Sequence, residues 1–214
     1  MTGDGTPVVT YSIIGVTFFV FLLQLIPPLG VTSALQYAGL YSYPFAFEPW
    51  RMVTTALVHQ VGGFPFHVLL NMYTLWIFGS MLERMLGRGL YISLYLMGAV
   101  AGSLGVLFLA DPRIPVVGAS GAIFAVIGAF LVIHQRLGNN MTQLIVLMGI
   151  NLVIGFIPSF GISWQAHVGG LIGGAIFGLI VVQTRKRHQK KLQTGLLVAL
   201  GAVLVLLSCA KFFA

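Results

Sequence analysis

Trp164-Gln165-Ala166-His167-Val168-Gly169-Gly170-Leu171-Ile172-Gly173-Gly174-Ala175-Ile176-Phe177-Gly178 reads as a transmembrane helix, because no charged residue interrupts it and the apolar run continues to Val182. About 20 such residues cross the hydrocarbon layer of a bilayer. Gly170, Gly174 and Gly178 recur every four residues and so share one face, where another helix can approach closely in lipid. A matching stripe, Gly121, Ala125 and Ala129, lies in the apolar run 118–136, so these two spans are expected to touch. His167 is an ionisable group inside a span, a placement that is costly and usually functional. A packed interhelical bond and a proton relay are the other readings of such a histidine.

The rest of the chain has the same character. Of its 214 residues 58% are hydrophobic and 7% charged, against about 25% charged in soluble domains. Seven helical spans can be drawn, at about 10–27, 66–84, 90–110, 118–136, 141–157, 163–184 and 194–212, and the fold class expected is an all-α, polytopic transmembrane helix bundle. Residues 1–10 hold Asp4 and no Lys or Arg, unlike the basic start of a signal peptide, so the first run is expected to be retained. Pro27-Pro28 closes that run. The connection that follows, up to residue 65, is rich in Tyr, Phe and Pro and contains Glu48-Pro49-Trp50-Arg51. It is too aromatic for a disordered linker and is expected to lie partly in the membrane interface.

Lys and Arg in short loops are retained on the cytoplasmic side. An N-terminus inside places Arg84, Arg88, Arg136, Arg185, Lys186, Arg187, Lys190 and Lys191 inside, against Arg51, Arg113 and Lys211 outside. Seven spans then put the C-terminus outside. The net charge of +7 is concentrated in the run 185–191 directly after an apolar helix, the signature of a cytoplasmic flank rather than of a nucleic-acid partner. Cys209, the single cysteine, can form no internal disulfide.

The acids are Asp4, Glu48, Glu83 and Asp111, all in or beside connections. This excludes an aspartyl mechanism and a Ser-His-Asp triad at membrane depth. No His-Glu-x-x-His zinc motif occurs, and neither metal nor cofactor is expected. What remains within the membrane is Ser, His and Asn. Gly118-Ala119-Ser120-Gly121 opens the fourth span, where a small-flanked serine has an accessible hydroxyl beside free backbone N–H groups; a helix cap has the same appearance. Ser120 and His167 lie within one or two turns of the same end of their spans, at a common depth. His67 and Asn71, four apart at the start of the second span, project from one helix face. They are either interhelical bonding groups or donors aimed at a developing oxyanion.

Taken together in this order, Trp50-Arg51, His67-x-x-x-Asn71, Gly118-x-Ser120-Gly121 and Ala166-His167-x-Gly169-Gly170 resemble the rhomboid family of intramembrane serine proteases over nearly the whole chain. The resemblance implies a six-helix catalytic core over 1–184, a basic cytoplasmic linker over 185–193 and an additional C-terminal transmembrane helix over 194–214. It further implies Ser120 as nucleophile and His167 as general base, with His67, Asn71 and the Ser120 N–H stabilising the oxyanion and Gly118 and Phe124 shaping the site. Position 124 is Phe where some members carry Tyr, so ring stacking on the histidine is expected without a hydroxyl. Trp50, Arg51, His59, Glu83 and Gly87 match scaffold positions. The partners implied are transmembrane protein substrates and the lipid bilayer. The absence of an Arg-rich, Ser-rich transit segment leads us to expect a prokaryotic plasma membrane, and the glycine-bearing segment 158–163 is a candidate cap. A proton-coupled transporter and an inactive helix-binding adaptor are the rival functions.

Overall fold

Seven helical segments lie within a few residues of the seven expected: α1 (Val8–Gln24), α2 (66–86), α3 (Arg88–Leu109), α4 (Ser120–Arg136), α5 (Thr142–Gly155), α6 (Trp164–Gln183) and α7 (Lys190–Ser208). This computed structural model describes residues 5–62, 65–155 and 162–213. Helix α2 joins Phe66–Thr74 to Ser80–Leu86 through a π-helical turn, Leu75–Gly79. Among the described residues the isolated bridge between Tyr37 and Val116 is the one piece of β pairing.

Among the described residues three segments, Arg88–Leu109, Trp164–Gln183 and Arg187–Ser208, are long and apolar enough to cross a membrane. A fourth arises if α1 is taken with Pro27–Leu35, from which it is bent by 105°. Pro27 and Pro28 lack the N–H a continuing helix requires, and Gly30 turns the chain with φ +58°. Helix α4, at 17 residues, is shorter. Seven helices therefore stand where seven spans are expected, and three or four have spanning dimensions. Large apolar side chains face outward around the bundle, Phe19, Leu70, Val153 and Leu206 among them, a surface suited to hydrocarbon rather than water.

The centre of the bundle is α4, where Ala119 just before the helix and Ala122, Ala125 and Ala129 within it are fully enclosed. A Cβ on Gly170 would strike the Gly121 carbonyl, one on Gly174 the Ala125 carbonyl, and one on Gly178 would meet Ala129 Cα at 3.0 Å. These pairs ascend together, so α4 and α6 run parallel with the two small stripes in register, as the sequence leads one to expect. Helix α3 is a third close partner. Gly98 faces Ala122 and Ala125, Gly102 faces Gly121 and Ala166, and Gly105 faces Gln165 and Gly169; the descending numbers make α3 antiparallel to α4 and α6. This third face was not read from the sequence, because its glycines are spaced by four and then three and no single four-residue stripe announces it.

Two polar devices fix the periphery. The buried Glu83 carboxylate accepts hydrogen bonds from Val9 N–H (2.9 Å), Thr10 N–H (2.8 Å) and Thr10 Oγ1 (2.8 Å), satisfying donors at the start of α1 that the helix itself cannot pair. At the other end, the Arg51 guanidinium lies 4.2 Å over the Tyr41 ring and donates to the Ser33 carbonyl (2.7 Å), the Gln36 carbonyl (3.1 Å) and Glu48. The connection 28–62 is thereby an ordered layer. Leu204 of α7 joins Tyr37 and Met52 of that layer in a second apolar cluster, and Phe212 packs edge-on against Phe47 at 4.7 Å.

Candidate active site

The turn that enters α4 is held by the ordered connection. Gly118 N–H donates to the Thr55 carbonyl (3.1 Å), Thr55 Oγ1 donates to the Val116 carbonyl (2.8 Å), and Ala119 N–H donates to His59 Nε2 (3.3 Å). Gly118 has φ +124°, a conformation side chains rarely adopt. A Cβ there would also sit 2.9 Å from both Cε1 and Nε2 of His67. Glycine is thus required twice over, by the backbone and by the imidazole lying against it. Ser120 is the first residue of α4, and its N–H precedes the first intrahelical bond, from Ile123 N–H to the Ala119 carbonyl. The first N–H groups of any helix are free to meet an anion.

His67 opens α2, and its Nδ1 accepts from Gln60 N–H at 3.4 Å. A neutral imidazole so engaged carries its proton on Nε2, the atom that borders Gly118. His59 is fully buried and its ring meets His67 edge-on at 5.2 Å. Its backbone is pinned by Gln24, which accepts from His59 N–H (3.0 Å) and donates to the His59 carbonyl (2.9 Å). Burial first, then the neighbouring His67, bring the His59 pKa down to about 3, against a smaller upward pull from the Leu57 carbonyl. His59 is therefore a neutral acceptor for Ala119 N–H at working pH. Gln24 is a residue that sequence reading missed; a lone Gln at a helix end carries no signal until the chain has folded over it.

His167 lies one turn into α6, buried, with its ring stacked flat on Phe124. The centroids are 4.0 Å apart and the planes 9° from parallel. Phe124 is one helical turn beyond Ser120 and so on the same face of α4. The α4–α6 register, Gly121 on Ala166 and Gly170, sets that level. The structure therefore gathers His67, Gly118, Ser120, Phe124 and His167 around the first turn of α4. No hydrogen bond joins Ser120 to His167, and His167 Nδ1 is buried with no partner. Asn71 is held by a bond from its Nδ2 to the His67 carbonyl (2.7 Å), while its Oδ1 is buried and unpaired. Gln165 stands beside Ser163, whose hydroxyl donates to it at 3.3 Å and also caps α6. The candidate cap lies largely outside the described residues, as do Gly63 and Phe64.

The Rhomboid domain profile matches residues 46–184, which take in His59, His67, Asn71, Gly118, Ser120, Phe124 and His167 but not Gln24. The rhomboid protease GlpG of Haemophilus influenzae is 30% identical over 177 residues, 77% of this chain and 88% of that protein. The rhomboid protease GluP of Bacillus subtilis is 35% identical over 181 residues, 80% of this chain but 34% of GluP. The mitochondrial Rhomboid protein 1 of Saccharomyces cerevisiae is 30% identical over 199 residues, covering 86% of this chain and 56% of its own length. The chain thus spans about a third of GluP and just over half of the yeast protein.

Proposed function

The chain belongs to the rhomboid family, and from that premise we propose that it is an intramembrane serine endopeptidase working through a Ser120–His167 dyad. The observation that carries this reading is the stacking of His167 on Phe124, one turn below Ser120, with His67 against Gly118 on the other side of the same turn. Ser120 Oγ attacks the scissile carbonyl carbon while His167 Nε2 takes its proton. The tetrahedral oxyanion is met by the Ser120 N–H, His67 Nε2–H and the second Nδ2 proton of Asn71. As the C–N bond breaks, His167 returns the proton to the leaving amine. Water then hydrolyses the acyl-enzyme by the same exchange in reverse.

The absence of a Ser120–His167 hydrogen bond is compatible with this reading, because catalytic hydrogen bonds in unliganded sites often form only when substrate binds. Without a carboxylate to orient Nδ1 and balance the imidazolium, the reaction is slower than that of a triad enzyme, and the oxyanion donors supply much of the rate. The fold in this reading is a six-helix core, α1–α6, with α7 added beyond the basic turn. The N-terminus is cytoplasmic, the C-terminus and the site are at the outer side, and the substrates are membrane proteins whose helices unwind readily near that side.

A fluorophosphonate or isocoumarin probe applied to purified protein tests the assignment. Wild type is labelled, while Ser120→Ala and His167→Ala are not. Labelling that survives Ser120→Ala removes the nucleophile, and an unlabelled wild type favours the adaptor or the proton-coupled transporter.

A further inference from the structure

Among the described residues, the end of the bundle opposite Ser120 and His167 carries cations and no free carboxylate. The helix registers put them at one level. Arg136 is seven residues past Ala129 and Arg185 seven past Gly178, the pair in contact between the parallel α4 and α6; Arg88, on antiparallel α3, stands ten residues before Gly98, which faces Ala125. These three are exposed, and so are Lys186, Arg187, Lys190 and Lys191 in the turn that follows α6. Glu83, the acid at this end among the described residues, is buried with its oxygens occupied by Val9 and Thr10. The two side-chain ion pairs among the described residues, Glu48–Arg51 and Asp111–Arg113, use none of these cations.

The turn is also fixed in place. Gln193 Nε2 donates to Thr184 Oγ1 (3.0 Å), the Thr184 carbonyl (3.5 Å) and the Val181 carbonyl (3.4 Å), so the start of α7 is tied to the end of α6 around a buried threonine. Lys186 N–H is bonded to Gln189 Oε1 at 3.3 Å. The positive end of the α7 dipole adds to the cations gathered here. Beyond Lys191 the outward face of α7 becomes aliphatic at once: Leu192, Leu196 and Val203 are exposed on one side, while Leu197, Leu204 and Ser208 are buried on the other.

We propose that the α6–α7 turn binds an anionic phospholipid, its phosphate held by Arg185, Arg187, Lys190 and Lys191 and its acyl chains laid along Leu192, Leu196 and Val203. Cations that pass into an exposed aliphatic stripe within one helical turn match a molecule that is itself anionic at one end and hydrocarbon at the other. A nucleic acid would leave that stripe unmatched. The site is separate from the peptidase reading and stands or falls without it.

Each Lys or Arg near an anionic surface strengthens attraction by about fivefold. The test uses the full chain in nanodiscs of equal phosphatidylglycerol and phosphatidylcholine, with retained lipid counted by native mass spectrometry. Wild type keeps phosphatidylglycerol at least roughly tenfold over phosphatidylcholine. Joint replacement Arg185→Gln, Arg187→Gln, Lys190→Gln and Lys191→Gln brings the two to parity, whereas Lys211→Gln leaves the preference intact. Should the fourfold variant misfold by circular dichroism, salt on wild type gives the answer, since about 0.5 M NaCl screens the headgroup contact and erases the preference. Soluble glycerol phosphate leaves the lipid bound; if it strips the lipid, the site reads free phosphate esters. Equal retention of both lipids by wild type, or displacement of phosphatidylglycerol by a short RNA, overturns the proposal.

Discussion

His167 and Phe124 form a parallel ring stack with 4.0 Å between centroids, so the orientation of the imidazole is set by the helix that also carries Ser120. Aromatic stacking of this kind contributes about 0.5–1.5 kcal/mol. Phe124→Leu is expected to lower kcat roughly three- to tenfold with KM nearly unchanged, and Phe124→Tyr to retain most activity. Initial-rate kinetics on a membrane-embedded substrate measure both. A Leu variant with wild-type kcat would mean that stacking does not orient the base.

Gly118 combines a positive φ with direct contact to His67. Gly118→Ala forces strain of about 1–3 kcal/mol and pushes the imidazole away from the first turn of α4. The expected result is loss of probe labelling by at least about tenfold, with α-helical content preserved. Labelling at the wild-type rate would show that His67 is not held by this contact.

The α4–α6 seam is the least forgiving packing in the molecule, because a Cβ on Gly174 meets the Ala125 backbone rather than the tip of a side chain. Gly174→Ala is expected to destabilise by about 1–3 kcal/mol. Gly195→Ala, in α7 with open space around it, is expected to be neutral or slightly stabilising. Denaturation in mixed micelles compares the two variants; equal midpoints would contradict the seam.

Burial of His59 makes stability depend on acid. Its folded pKa of about 3 lies below the ordinary 6.5, so between these values the unfolded chain binds a proton that the folded chain does not. Stability is therefore full above about pH 6.5 and falls as pH drops toward 3, by up to about 1.4 kcal/mol per unit from this residue. His59→Gln keeps an acceptor for Ala119 N–H but cannot titrate. Its unfolding midpoint should shift less than that of wild type between pH 7 and pH 4.5; identical slopes would rule out His59 as a source.

Much of this architecture is legible in one dimension because lipid simplifies the rules. Apolar run length marks the helices, and the spacing of Gly170, Gly174 and Gly178 against Gly121, Ala125 and Ala129 marks the pair that must touch. Motif order singles out Ser120, His67, Asn71 and His167. The interval between helices is harder. Gln24 pins His59, and His59 accepts from Ala119 N–H, yet these residues are far apart in the chain and share no periodicity. Helix α3 is hard to read as a close neighbour for a similar reason: its contacts run through glycine to backbone atoms and alanine methyls, and absence of side chains at Gly98, Gly102 and Gly105 is a weaker signal than presence of an apolar one. The bond between Asn71 Nδ2 and the His67 carbonyl could be anticipated from the four-residue spacing, but not which side of the amide it would occupy.

Helices α3, α4 and α6 meet along glycine, with carbonyls where side chains would ordinarily cushion the contact. Three helices packed this closely leave little room for one to shift against another. If a membrane protein enters as proposed, the room for it has to come from the outer helices, so the stiffness of the centre dictates where the bundle can open.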